Sequence, residues 1–243
     1  RLTGHQCAWL GSITMVTYMV SSLLVGMILT RRNARSLLLL STVLTTVLGA
    51  ACLLLQDFVL QMVCLGLLAG LEVLRRVKEC GGLAGVHAEN APIAERNYAR
   101  YEAAGLRQPR YHALAKPDYV EAEAVNRALF LARIANAPIT IYHLSSAMGA
   151  GLVRRARAAG QPVLAETCTH YLTLTAERLE GHDGVNYLCS PPLRSAADQE
   201  ALWQALSDGT VAVVSTDEAG FNSADKARAL GGPLEAIPNG LPG

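Results

Sequence analysis

Three short runs typical of β-strands each end on a side chain that can bind a metal ion. They are Leu83 to Val86 before His87, Ile139 to Tyr142 before His143, and Val211 to Thr216 before Asp217. Stretches with helical spacing separate them. Alternating strands and helices predict an α/β protein with a parallel sheet, in which reactive side chains collect at the carboxyl ends of the strands.

A fourth strand is predicted at Pro162 to Ala165, and it completes four strand–helix units in series. Four parallel strands can form an open sheet, and units of this length also form half of an eight-stranded barrel. No glycine-rich phosphate loop follows any strand, so a Rossmann-type nucleotide site is not supported. Ser195, with Asp198 three residues later, predicts a helix start before Glu200 to Leu206.

The first third of the chain has a different composition. Residues 8–30 and 36–56 contain no charged side chain, and Phe58 to Leu71 forms a third, shorter apolar run. About 20 uncharged residues can cross a bilayer as a helix. We therefore expect two domains: a segment of two to three apolar, membrane-type helices (residues 1–71) and an α/β domain (residues 72–243). A short helix is expected at Glu72 to Cys80, before the domain's first strand.

The basic loop Arg31 to Arg35 lies between the first two runs, and positive-inside bias would place it in the cytoplasm. The stretch from Gly26 to Arg35 resembles the loop between the second and third helices of major facilitator transporters, although Thr30 replaces the usual aspartate. Neither full run contains an acidic residue for a transport pathway. A hydrophobic anchor and a misjoined piece of another gene remain alternatives to a transporter fragment.

Charge and cysteine content exclude several functions. The formal net charge is +1, so no basic field indicates a nucleic-acid partner. The six cysteines are scattered without a CxxC pair, which favours reduced thiols in a reducing compartment. We expect the α/β domain to be cytoplasmic, and the protein to be membrane-associated through residues 8–71 if that segment is genuine.

The histidines divide into two groups. His5, His112, His170 and His182 are interpreted as ordinary structural or surface residues. His87 and His143 each follow a predicted strand, as Asp217 does. Imidazoles suit zinc, and a carboxylate can bind the ion or take a proton from bound water. Spacing alone leaves a metal site and structural roles equally open.

A series of motifs gives a more specific indication. In chain order they are Val86-His87-Ala88-Glu89-Asn90, Glu121-Ala122-Glu123-Ala124-Val125-Asn126-Arg127, Tyr142-His143-Leu144-Ser145-Ser146, Glu166-Thr167-Cys168, Ser190-Pro191-Pro192-Leu193-Arg194 and Ser215-Thr216-Asp217. This series resembles the dihydropyrimidinase/D-hydantoinase branch of the cyclic amidohydrolases, from about residue 72 to residue 243.

The resemblance implies a TIM-like barrel, of which this chain would hold roughly strands five to eight. It implies hydrolysis of an amide bond in cyclic ureides at two zinc ions, which a carboxylated lysine and a hydroxide bridge. By position His87 and His143 would hold the second metal, and Asp217 would bind the other metal and act as general base. Ser190 and Asn239 would hold the ring amide through backbone groups.

The chain also departs from the family pattern. The HxH pair and the strand-four lysine of the family have no counterpart, and Lys78 is not assigned the lysine's role because it lies on a predicted helix. We therefore expect at most a partial zinc site and poor or absent turnover by this polypeptide. The alternative is a membrane-anchored binding or assembly module without catalysis. A complete barrel of this type would be expected to form a homo-oligomer.

Overall fold

The first described helix, α1, runs without a break from Phe58 to Glu79. The sequence predicts an apolar run, Phe58 to Leu71, followed by a separate helix, Glu72 to Cys80. The structure joins the two in one helix, so the prediction of a separate helix is wrong. Nothing in the sequence interrupts the helix before Gly81, whose φ of 69° suits a residue that follows a helix end. None of the helices in the described residues is both long and apolar enough to span a membrane.

The computed structural model describes residues 58–241, with side chains from residue 68 onward. The membrane-type helices expected at residues 8–30 and 36–56 lie outside this range. Residues Gly70–Gly243 form one compact unit, and the description that follows concerns this unit.

Four short strands alternate with helices along this unit. The strands are β1 (Ala84–Val86), β2 (Ile139–Ile141), β3 (Val163–Cys168) and β4 (Val213–Ser215). The further α-helices are α2 (Ala91–Ala103), α3 (Arg110–Ala115), α4 (Asp118–Ala135), α5 (Ala147–Ala158), α6 (Thr169–Thr173), α7 (Ala196–Ser207) and α8 (Ser223–Ala229). Three 3-10 helices lie at Ala176–Glu180, Gly184–Tyr187 and Leu234–Ala236.

The strands form one parallel sheet in the order β1-β2-β3-β4. Each strand therefore pairs with the next one along the chain. A doubly wound sheet would instead reverse its strand order at a switch point. The prediction of a parallel α/β fold is confirmed, and the sequential order favours successive strands of a barrel.

Helices cover one face of the sheet, and the other face carries exposed side chains. On one face Ile139, Ile141 and Val163 are buried against side chains of α4 and α5, such as Val125 and Val153. The opposite face carries Tyr142, Leu164 and Val213, which are 43%, 40% and 44% exposed. In a complete β/α barrel helices cover the outside and side chains fill the interior, so this open face corresponds to the interior.

Local signals explain the helix ends near the strands. Ser195 caps α7 by accepting a hydrogen bond from the Asp198 backbone, and Asp198 returns the capping-box contact as predicted. Helix α4 ends at Asn136 in the left-handed conformation with φ of 49°. Helices α2 and α3 lie between β1 and α4 in chain order.

Candidate active site

The loops after β1 and β2 bring His87 and His143 together. The Nδ1 atom of His87 lies 2.8 Å from Nε2 of His143, and the ring centroids are 4.6 Å apart. The strands pair in register with Val86 opposite Ile141, so the residues after them meet at one edge of the sheet. The structure therefore places the two imidazoles side by side.

His143 and Asp217 share an uncommon backbone conformation. Their φ values are 40° and 45°, in the left-handed region that few residues other than glycine adopt. Such conformations cost about 1–3 kcal/mol each and persist where surrounding contacts enforce them, often at functional sites. Both residues directly follow or lie close to strand ends, and both were singled out from the sequence as metal ligands.

Contacts on several sides hold the loop that carries His143. The backbone N–H of Ser145 donates to Oε1 of Glu121 at 2.7 Å, and that of Leu144 donates to the carbonyl of Glu166 at 2.7 Å. The hydroxyl of Thr167 donates to the Leu144 carbonyl. Arg194 donates through Nε to the Ser145 hydroxyl at 3.0 Å. These buried contacts fix the loop and explain how the strained backbone persists.

Glu89 connects the imidazole pair to a lysine. Its Oε2 accepts from Nε2 of His87 at 3.1 Å and from Nζ of Lys116 at 2.7 Å. The Glu89 side chain is only 5% exposed. Burial alone would raise the pKa of Glu89, but the hydrogen bond from His87 and the nearby Lys116 charge outweigh it and lower the pKa to about 2.

The ionised carboxylate determines which hydrogen His87 carries. Since Glu89 can only accept, Nε2 of His87 must be the donor, and a neutral His87 keeps its lone pair on Nδ1. The 2.8 Å contact then has Nε2 of His143 donating to Nδ1 of His87. When His143 loses the hydrogen on Nε2, the lone pairs of His143 Nε2 and His87 Nδ1 both point into the space between the two rings.

The predicted substrate residues Ser190 and Asn239 also meet. The Ser190 hydroxyl donates to Oδ1 of Asn239 at 2.9 Å and accepts from Nζ of Lys116 at 2.8 Å. The Ser190–Pro191 peptide bond is cis. A continuous series of hydrogen bonds therefore runs from Asn239 through Ser190, Lys116 and Glu89 to the imidazoles.

Asp217 acts on this network through its charge. Burial and the neighbouring His87 lower the pKa of His143, and the Asp217 charge opposes this shift without reversing it. Within residues 58–241, no three histidine, cysteine or acidic side chains are grouped as a metal ion would require. Zinc sites use at least three protein ligands as a rule. The described side chains thus fit two nitrogen ligands of a metal site, which is a partial site.

Two residues of this region were not assigned a site role from the sequence. Lys116 lies 27 residues from Glu89 and 74 from Ser190, so no local spacing indicates their contact. His170 was expected to be an ordinary histidine; it is 6% exposed, and its Nε2 finds no partner among the described residues. Burial lowers the pKa of His170 to about 4. Its place directly after β3 was the one available signal.

His112 has the structural role expected from the sequence. Its Nε2 donates to the Cys189 carbonyl at 2.8 Å, and its Nδ1 accepts from the Tyr98 hydroxyl at 2.7 Å. Burial, followed by the charge of Lys116, lowers the pKa of His112 to about 4, so the ring is neutral near pH 7. The residue fixes the segment that leads into Ser190.

A large groove of about 760 Å³ lies elsewhere. Its lining includes Leu83, Pro138, Pro162 and Thr210, which precede the strands rather than follow them. It therefore opens at the amino ends of the strands, whereas His87 and His143 lie at the carboxyl ends. Catalysis in β/α barrels occurs at the carboxyl ends, so the groove plays no part in the candidate site.

The parallel sheet and its helices correspond to part of a β/α barrel. Over 174 residues, 71% of the chain, the sequence is 45% identical to D-phenylhydantoinase of Escherichia coli O1:K1 / APEC. A solved D-hydantoinase matches with a TM-score of 0.70 and 42% identity over 73% of the chain. The dihydropyrimidinase of Brevibacillus agri NCHU1002 matches with a TM-score of 0.69 and 36% identity over 71%.

These comparisons confirm the resemblance of the C-terminal part to dihydropyrimidinases and D-hydantoinases. The chain spans only 38% of the length of the E. coli relative, and 39% and 38% of the two solved structures. No family model matches the chain. The transporter resemblance of residues 1–71 gains no support from these comparisons.

Proposed function

We propose that residues 72–243 supply the carboxyl-terminal half of an active site that hydrolyses the amide bond of cyclic ureides, of the dihydropyrimidine or hydantoin type. The observation that carries the proposal is the convergence of His87 and His143, linked by hydrogen bonds to Ser190 and Asn239. The relatives named above, hydantoinases and a dihydropyrimidinase, support the substrate class.

In this proposal His87 and His143 hold a metal ion, zinc by analogy with the predicted family, which would polarise the amide carbonyl and activate water. Ser190 and Asn239 orient the ring amide. Asp217, exposed at the same edge, carries a proton towards the leaving nitrogen. The described residues hold a partial site, so strands from outside this range are needed for turnover.

Metal binding by the full chain is the first test. Titration with Zn²⁺ is expected to show one site, which His87→Ala and His143→Ala abolish. His182→Ala is the matched control, because His182 is an exposed histidine away from the strand ends. A zinc affinity that is equal in all three variants would contradict the assignment of the two imidazoles.

Activity is tested in a chimera in which residues 72–243 replace the matching segment of E. coli D-phenylhydantoinase. The chimera is expected to open the hydantoin ring and to lose at least about 100-fold in kcat in Asp217→Asn. The unmodified chain with added Zn²⁺ is expected to show no turnover. A folded, metal-loaded chimera without activity would refute the proposed function, and turnover by the chain alone would refute the need for further strands.

A further inference from the structure

Lys116 and Glu89 form a buried ion pair between the two halves of the candidate site. Their side chains are 15% and 5% exposed, and the Nζ–Oε2 distance is 2.7 Å. An ion pair this far from solvent is costly unless its remaining hydrogen-bonding capacity is used. Here Glu89 also accepts from His87, and Lys116 also donates to Ser190.

We propose that Glu89 and Lys116 are positioning residues, which hold His87 with its hydrogen on Nε2 and couple it to the Ser190–Asn239 pair. The proposal rests on the proposed function for its consequence in catalysis. Its structural content, the side-chain geometry of His87 and Asn239, stands independently of any reaction.

The first half of the argument concerns His87. The ring is half exposed, so packing alone does not fix its orientation. The hydrogen bond to Glu89 selects the Nε2–H form and directs the Nδ1 lone pair towards His143. Removing a carboxylate that accepts the ring N–H of a metal-binding imidazole typically lowers metal affinity about 10- to 100-fold.

The second half concerns the substrate residues. Ser190 has one hydroxyl hydrogen, and the donation from Lys116 leaves that hydrogen free to go to Oδ1 of Asn239. The same contact sets the orientation of the Asn239 amide, whose Nδ2 donates to the Ile237 carbonyl at 3.3 Å. Through its contacts with Glu89 and Ser190, Lys116 thereby links the position of the Glu89 side chain to those of Ser190 and Asn239.

One oxygen of Glu89 remains available. Oε1 is buried and has no hydrogen-bond partner among the described residues. Buried carboxylate oxygens are normally paired, so Glu89 keeps acceptor capacity beyond its contacts with His87 and Lys116.

Nuclear magnetic resonance of the metal-free full chain tests the histidine half, using ¹⁵N-labelled histidine and His87→Gln for assignment. The wild-type His87 ring is expected to be in the Nε2–H form, and Glu89→Ala is expected to give a mixture of both forms. Glu89→Gln retains an acceptor oxygen and should keep more of the Nε2–H form. Glu79→Ala, at an exposed carboxylate, should leave His87 unchanged.

The lysine half is tested on the side-chain amide signals of Asn239. They are expected to shift in Lys116→Met, to be largely restored in Lys116→Arg, and to be unaffected in the control Lys78→Met, because Lys78 is exposed. Unchanged His87 and Asn239 signals in folded Glu89→Ala and Lys116→Met would overturn the inference.

Zinc affinity separates this inference from the proposed function. Glu89→Ala is expected to bind Zn²⁺ about 10- to 100-fold more weakly than the wild type. If the wild-type chain binds no zinc while the His87 form still responds to Glu89→Ala, the proposed function fails and the positioning role holds. Equal zinc affinity in wild type and Glu89→Ala contradicts the role in metal binding.

Discussion

At the scale of single residues, the left-handed backbone of His143 is the most informative feature. A side chain with a β-carbon costs about 1–2 kcal/mol in this conformation, whereas glycine adopts it freely. The sequence predicted a ligand at this position but gave no sign of its conformation. An unfavourable φ at a histidine beside a strand end is a kind of backbone strain that clusters at functional sites.

This strain can be measured with two substitutions that both remove the imidazole. We expect His143→Gly to exceed His143→Ala in unfolding free energy by about 1 kcal/mol, because glycine relieves the backbone strain. Urea denaturation of the full chain is the measurement. The same comparison at Asn136, also left-handed, serves as the positive control. Equal or lower stability of His143→Gly would show that φ at this position is not strained.

At the scale of elements, the buried carboxylate of α4 fixes the β2–α5 loop. Glu121 is 1% exposed and accepts from both the backbone and the hydroxyl of Ser145, while Arg194 contacts the same hydroxyl from the other side. Burial, opposed by the Arg194 charge, raises the pKa of Glu121. Helix α4 therefore holds the β2–α5 loop through the side chain of Glu121.

Two glutamates on α4 make a matched pair for testing this role. Glu121→Ala is expected to lower the unfolding free energy by about 2 kcal/mol, because it leaves the backbone N–H and the hydroxyl of Ser145 without their buried acceptor. Glu123→Ala, which removes exposed contacts with Arg127 and Asn90, should cost less than about 1 kcal/mol. Urea unfolding of both variants measures the difference. Similar losses would contradict a special role for Glu121.

The elements also show what sequence patterns can predict. Period and β-branching located all four strands within a few residues, and the Ser195–Asp198 signal located the start of α7. The apolar run that ends at Leu71 and the short helix predicted at Glu72 to Cys80 belong to one helix, because no helix breaker separates them. The contact of Lys116 with Glu89 and Ser190 escaped prediction, because it depends on tertiary packing between distant segments.

At the scale of the whole molecule, two distant helices fix the segment before Ser190. His112 of α3 donates to the Cys189 carbonyl, and Lys226 of α8 donates to the Leu188 carbonyl at 2.7 Å. Lys226 is fully buried, and burial lowers its pKa to about 8. The segment that carries a predicted substrate residue thus depends on contacts from both ends of the described domain.

These two groups give the stability a defined pH dependence. Both have folded-state pKa values below their unfolded values, so the unfolded chain binds more protons and the unfolding free energy rises with pH in each window. The windows are about pH 4 to 6.5 for His112 and about pH 8 to 10.5 for Lys226.

Urea denaturation across this pH range measures the effect. Lys226→Met is expected to remove the rise between about pH 8 and 10.5, and the exposed control Lys78→Met should preserve it. The same pH dependence in wild type and Lys226→Met across this window would contradict the assigned role of the buried lysine.

The sequential order of the four strands has a consequence for gene architecture. A sheet in which every strand pairs with the next one along the chain can be extended by repeating the strand–helix unit, and eight such strand–helix units form a closed barrel. Tandem duplication of residues 72–243 would contain eight strands and bring each uncovered face against its own copy. Sheets with a reversed strand order have no such route, so this sheet is a natural building block for recombination.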